Sequence, residues 1–89
     1  MIIKQILYGE LTTLRLADGY KILTVQYQND KMCVWVDNPD FGPDQVERIS
    51  HDVHLQIVGT GYESPPFGSY VGTVQNKHFV WHVFATEIT

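Results

Sequence analysis

The fold is decided by one stretch, Lys21-Ile-Leu-Thr-Val-Gln-Tyr-Gln-Asn-Asp-Lys-Met-Cys-Val-Trp-Val-Asp37. Its period is two, the repeat of a strand whose side chains alternate between faces. Before Asn29-Asp30, Leu23, Val25 and Tyr27 alternate with Thr24, Gln26 and Gln28. After it, Met32, Val34 and Val36 alternate with Cys33, Trp35 and Asp37. Asn and Asp tolerate the positive φ that a tight hairpin turn demands. A two-residue turn at Asn29-Asp30 pairs Tyr27 with Met32, Val25 with Val34 and Leu23 with Val36, which puts three apolar pairs on one face. Gln26 then faces Cys33, and Thr24 faces Trp35, on the other. A slip by one residue would send every apolar side chain to the wrong side, so the pattern specifies the register.

The C-terminal third repeats the device. Tyr70–Gln75 and His78–Ala85 flank Asn76-Lys77. A turn there pairs Val74 with Phe79, Gly72 with Trp81 and Tyr70 with Val83, leaving Gln75 with His78, Thr73 with Val80 and Val71 with His82 outside. Glycine opposite Trp81 leaves room for the indole. Between the hairpins, Ile49–Ile57 is one long strand, with Ile49, His51, Val53, Leu55 and Ile57 inward. Ile2–Tyr8 and Thr12–Leu16 are weaker strands. Asn38–Gln45, with Pro39 and Pro43, is a loop that has room for one helical turn after Pro43. Gly59–Gly68, with Pro65 and Pro66, is a second loop. The expectation is an all-β domain spanning residues 1–89, a small antiparallel barrel or compact β-sandwich of six to seven strands. The barrel is favoured, because a sandwich usually takes more chain.

Composition narrows the function classes. Only 18% of the 89 residues are charged, below the usual quarter. This deficit suggests surface reserved for an oligomer interface or a ligand, and a homo-oligomer is expected. The net charge of −4 argues against a duplex nucleic-acid partner, which needs a basic face. One cysteine, Cys33, rules out an intrachain disulfide and suggests a reducing compartment. No apolar run is long enough for a membrane span, and the N-terminus does not read as a signal peptide, so a cytoplasmic protein is expected.

No catalytic or metal signature stands out, and neither an enzyme nor a cofactor is expected. His78 and His82 have helical chelate spacing, but on a strand four residues span about 13 Å. His51 and His54 point to opposite faces. Cys33 reads as a packing residue. Asp37, Asp40 and Asp44 read as solvated turn carboxylates. Gly59-Thr60-Gly61-Tyr62 could turn backbone amides toward an anion, with Tyr62 stacking on a ring. The bland alternative is a strand end that needs glycine for positive φ. Gln26, Trp35, Thr73, Gln75, His78, Val80, His82 and Phe84, outward on the two hairpins, could form a polar ligand groove or a protein interface. Alternatively, they form the second wall of a small sandwich.

Five stretches carry a resemblance: Lys21–Asn29, Cys33-Val-Trp35, Ile57-Val-Gly-Thr-Gly61, Tyr70-Val-Gly-Thr-Val-Gln75 and Val80-Trp-His-Val-Phe84. In this order, over nearly the whole chain, they resemble a family of small uncharacterised proteins of bacteria and their phages, a domain of unknown function. Two departures stand out. The family normally continues Ala-Leu-Val-Asp-Pro after the tryptophan, where this chain reads Val36-Asp37-Asn38-Pro39. The family's histidine after Gly-Thr-Gly is Tyr62 here, so no role for that histidine carries over. The resemblance implies no established activity. It does imply phage or prophage origin, and hence stoichiometric action on host machinery.

Two functions follow as expectations. The first is a counter-defence protein that sequesters a nucleotide-like immune signal, with Trp35, Gly59, Thr60, Gly61, Tyr62, His78 and His82 as ligand residues. Its anion would lean on backbone amides and on Lys21, Arg48, Lys77 or histidines. The second is a protein-interaction module that inhibits or adapts a host or phage protein.

Overall fold

The computed structural model describes residues 1–39 and 49–88. The expected helical turn after Pro43, and Asp40, Asp44 and Arg48, lie outside the described residues. Among the described residues seven strands follow one another: β1 (Ile2–Ile6), β2 (Leu11–Ala17), β3 (Lys21–Gln28), β4 (Lys31–Asp37), β5 (Ser50–Gly59), β6 (Ser69–Asn76) and β7 (Phe79–Glu87). They form two antiparallel sheets, β1-β4-β3 and β2-β5-β7-β6. The sheets are not closed into a barrel, so of the two expected architectures the sandwich is the one found. β3 and β6 approach closely but exchange no ladder, and this leaves the seam open.

The first hairpin turns at Asn29 and Asp30, with φ of 53° and 62°. Positive φ at both central residues matches the right-handed twist of the flanking strands. Tyr27 pairs with Met32, Val25 with Val34, Gln26 with Cys33 and Thr24 with Trp35, as the alternation requires. The expected pairing of Leu23 with Val36 does not occur. A bulge at Leu23 puts Ile22 opposite Val36 and leaves Leu23 half exposed. A bulge inserts one extra residue into a strand and so flips the parity beyond it.

The second hairpin departs from expectation in its turn. Lys77 and His78 form the turn, with Lys77 at φ 56°, and Asn76 is opposite Phe79. Val74 therefore pairs with Trp81, Thr73 with His82 and Gly72 with Val83. Each partner lies two residues along from the expected one. A two-residue slip preserves every side chain's face, so alternation could not detect it. A second bulge, at Val71, puts Tyr70 opposite Phe84, where the slipped register alone would give Ala85 and the expected register Val83.

The core lies between the sheets. Val34 and Val36 from β4, Val53 and Leu55 from β5, and Val83 from β7 are completely buried. Each such side chain contributes about 1.5–3 kcal/mol relative to exposure. Ile49 lies outside β5 and is exposed, contrary to its expected inward position. At one end, Asn38 ties the sheets together. Its Oδ1 accepts the Ala17 amide at 2.8 Å, and its own amide donates to the Met1 carbonyl at 2.9 Å. Among the described residues no helix is long and apolar enough to cross a membrane.

Candidate functional site

At the end opposite Asn38 the two sheets part and leave an open cleft of about 850 Å³. Each strand's alternation supplies the floor. Tyr27 and Met32 are the inward pair nearest the first turn, and Leu7 follows β1 with its amide bonded to the Met32 carbonyl at 2.9 Å. Across the gap stand Ile57 of β5 and Trp81 of β7. All five belong to the hydrophobic core or pack against it, so the cleft is the core's unfilled end.

Gly59 faces Trp81 across the β5–β7 ladder. A Cβ at Gly59 would stand 3.3 Å from the indole and 3.4 Å from the Tyr62 ring. Both rings therefore lie against bare backbone, and Phe79 stacks on Trp81 at 5.6 Å with 17° between the planes. The result is an aromatic wall. The rim above it carries Glu10, Asp30, Lys31, Tyr62 and Glu63. None of its three carboxylates makes an ion pair among the described residues.

The residues singled out from the sequence do not form one site. Gly59 and Tyr62 line the cleft. Thr60 and His82 meet on the outer face of the four-stranded sheet, where His82 Nε2 is 2.8 Å from Thr60 Oγ1 and its Nδ1 is 2.9 Å from Thr73 Oγ1. Tyr70 extends the chain through its hydroxyl to Thr73. This network pins the Gly59–Tyr62 turn to the sheet. His78 is exposed in the β6–β7 turn. Trp35 lies on the outer face of the other sheet, beside Ile2, Leu23, Thr24 and Gln26. The expected groove shared by both hairpins cannot form, because their outer faces look away from each other.

The anion-loop reading of Gly59–Tyr62 also meets a difficulty. The Thr60 amide donates to the Val80 carbonyl and the Tyr62 amide to the Gly59 carbonyl, each at 3.2 Å. Gly61 at φ 99° supplies the positive φ that a type II turn needs at its third residue. The glycine thus serves backbone geometry, and two of the loop's amides are already engaged.

A polar cluster that the sequence did not reveal occupies the opposite end. Tyr20 donates to Glu87 Oε1 at 2.8 Å, and His51 Nε2 is 2.7 Å from Asp18 Oδ1, with its Nδ1 3.5 Å from Glu87 Oε2. Burial, then the hydrogen bond to Glu87 and its charge, push the Tyr20 phenol up to about 12. Among the described residues no three His, Cys, Asp or Glu side chains are grouped to hold a metal ion.

The cleft residues that sequence reasoning missed include Leu7, Tyr27, Met32, Ile57 and Trp81 of the floor and wall and Glu10, Asp30, Lys31 and Glu63 of the rim. The available signal was the register itself, which puts Tyr27 and Met32, the last inward pair, beside the turn at the end of their sheet. No curated protein and no solved structure matches the chain. The family model for a domain of unknown function, DUF7352, matches residues 1–89, and the chain belongs to that family.

Proposed function

We propose that the protein is a non-enzymatic interaction module that holds a segment of a partner protein in the cleft at the open end of the sandwich. One observation carries this reading: the cleft is lined by the core's own apolar and aromatic side chains from both sheets. Such a concavity, apolar within and polar at its rim, is the usual form of a binding site. Aromatic side chains such as Trp81, Tyr27 and Tyr62 are the residue types that dominate protein interfaces.

The rim favours a protein segment over a nucleotide. A phosphate approaching the cleft meets, among the described residues, Glu10, Asp30 and Glu63 against the single Lys31. Like charges facing each other at an interface are unfavourable. On the resemblance to small phage and bacterial proteins, the partner is a host or phage protein in the bacterial cytoplasm.

Site-specific photocrosslinking tests the reading. A photoreactive phenylalanine analogue replaces Tyr62 at the rim or, as control, Thr13 on the edge strand β2, in cells that make the protein. A discrete adduct from position 62 and none from position 13 is the expected result. No adduct from position 62, or the same adduct from both, would overturn it.

A further inference from the structure

We infer that the segment held in the cleft presents an arginine beside an apolar side chain. This deepens the proposed function and rests on it. Two independent features of the cleft meet in that chemistry.

The first is charge. Glu10, Asp30 and Glu63 come from three separate places in the chain, the β1–β2 link, the β3–β4 turn and the loop after β5. With Lys31 they give the described residues of the rim a net charge of −2, three carboxylates less one ammonium. Their acceptor oxygens make no ion pair within the described part of the chain. A cationic group is the complement of such a rim.

The second is the aromatic wall. Trp81 and Tyr62 lie against Gly59, and Tyr27 lines the same cleft from the other sheet. A guanidinium stacks on aromatic faces while its edge donates in a fork to carboxylates. An ammonium is more strongly hydrated and lacks the planar face, so arginine fits this combination better than lysine. The floor of Leu7, Met32 and Ile57 then accepts the neighbouring aliphatic or aromatic side chain. Met32 supplies an adaptable thioether surface for it.

The test selects random twelve-residue peptides on the full-length protein from a displayed library. The winners are then measured as synthetic peptides. The expected winners carry arginine next to Leu, Ile, Phe or Trp. Replacing that arginine with citrulline, its neutral isostere, is expected to weaken binding about tenfold or more, as for loss of a charge-assisted fork. Glu10→Gln/Asp30→Asn/Glu63→Gln should lose a similar factor at an unchanged melting temperature. Its carboxylates are exposed, so the fold does not depend on them.

Amide shift mapping separates the outcomes. If winning peptides perturb Met32, Ile57 and Trp81 but lack arginine, or bind equally well with citrulline, the arginine inference falls and the interaction module stands. If no peptide is retained, or the shifts map elsewhere, both fall.

Discussion

At the residue scale, two glycines show how sheet packing assigns roles that strand patterning cannot. Gly72 reads from the sequence as the space beneath Trp81, but the structure puts that space at Gly59. Gly72 instead admits Val25 from the other sheet, and an added Cβ would lie 2.9 Å from Val25 Cγ1. Val25 is buried and has little freedom to move away. Gly72→Ala is therefore expected to destabilise the fold by about 1–3 kcal/mol, the ordinary cost of overpacking, as measured by denaturant unfolding. Tyr20 gives a pH prediction. Its phenol is raised from 10.0 to about 12. Below pH 10 it is protonated in folded and unfolded chains alike, and its contribution is fully present. Between 10 and 12 the unfolded chain loses the proton first, so stability falls as pH rises through that window. Ultraviolet titration should show a phenol that ionises near pH 12, and Tyr20→Phe should remove it.

At the element scale, the two hairpins differ in how openly they declare themselves. Asn29-Asp30 was legible because both residue types tolerate positive φ, which picks the turn from among the registers that alternation allows. In the second hairpin, Asn76 attracts the same reading, yet the positive φ belongs to Lys77. A lysine in that conformation carries a steric cost from its Cβ that glycine lacks. Lys77→Gly is expected to stabilise the protein by about 0.5–1 kcal/mol net of the entropy gained by the unfolded chain. Thermal unfolding at matched conditions would show it as a higher midpoint, and a lower one would mean that the left-handed conformation at Lys77 costs less than the added chain entropy. The bulges at Leu23 and Val71 were not legible at all. Each is a local parity change, one in the β3–β4 ladder and one in the β6–β7 ladder, and neither residue type announces one.

At the scale of the whole molecule, the all-β class and the strand count followed from alternation, whereas the layering did not. A barrel and a sandwich share the same period. What separates them is that β1 joins β4 while β2 joins β5, pairings between segments far apart in the chain. The cleft was hidden for the same reason, since its floor and rim are drawn from strand ends that only the assembled sandwich brings together. The polar cluster of Tyr20, His51 and Glu87 likewise exists only once β3, β5 and β7 are aligned. The interleaved strand order also governs how the chain reaches its structure. The two hairpins close loops of two residues, while β1 and β2, neighbours in sequence, must diverge to different sheets and find remote partners. Long-range closure is slow, so refolding is expected on the order of milliseconds to seconds. The rate should depend on early hairpin contacts. In stopped-flow refolding, Val34→Ala should slow folding markedly, whereas Ile3→Val should chiefly speed unfolding, placing the N-terminal strand among the last to dock.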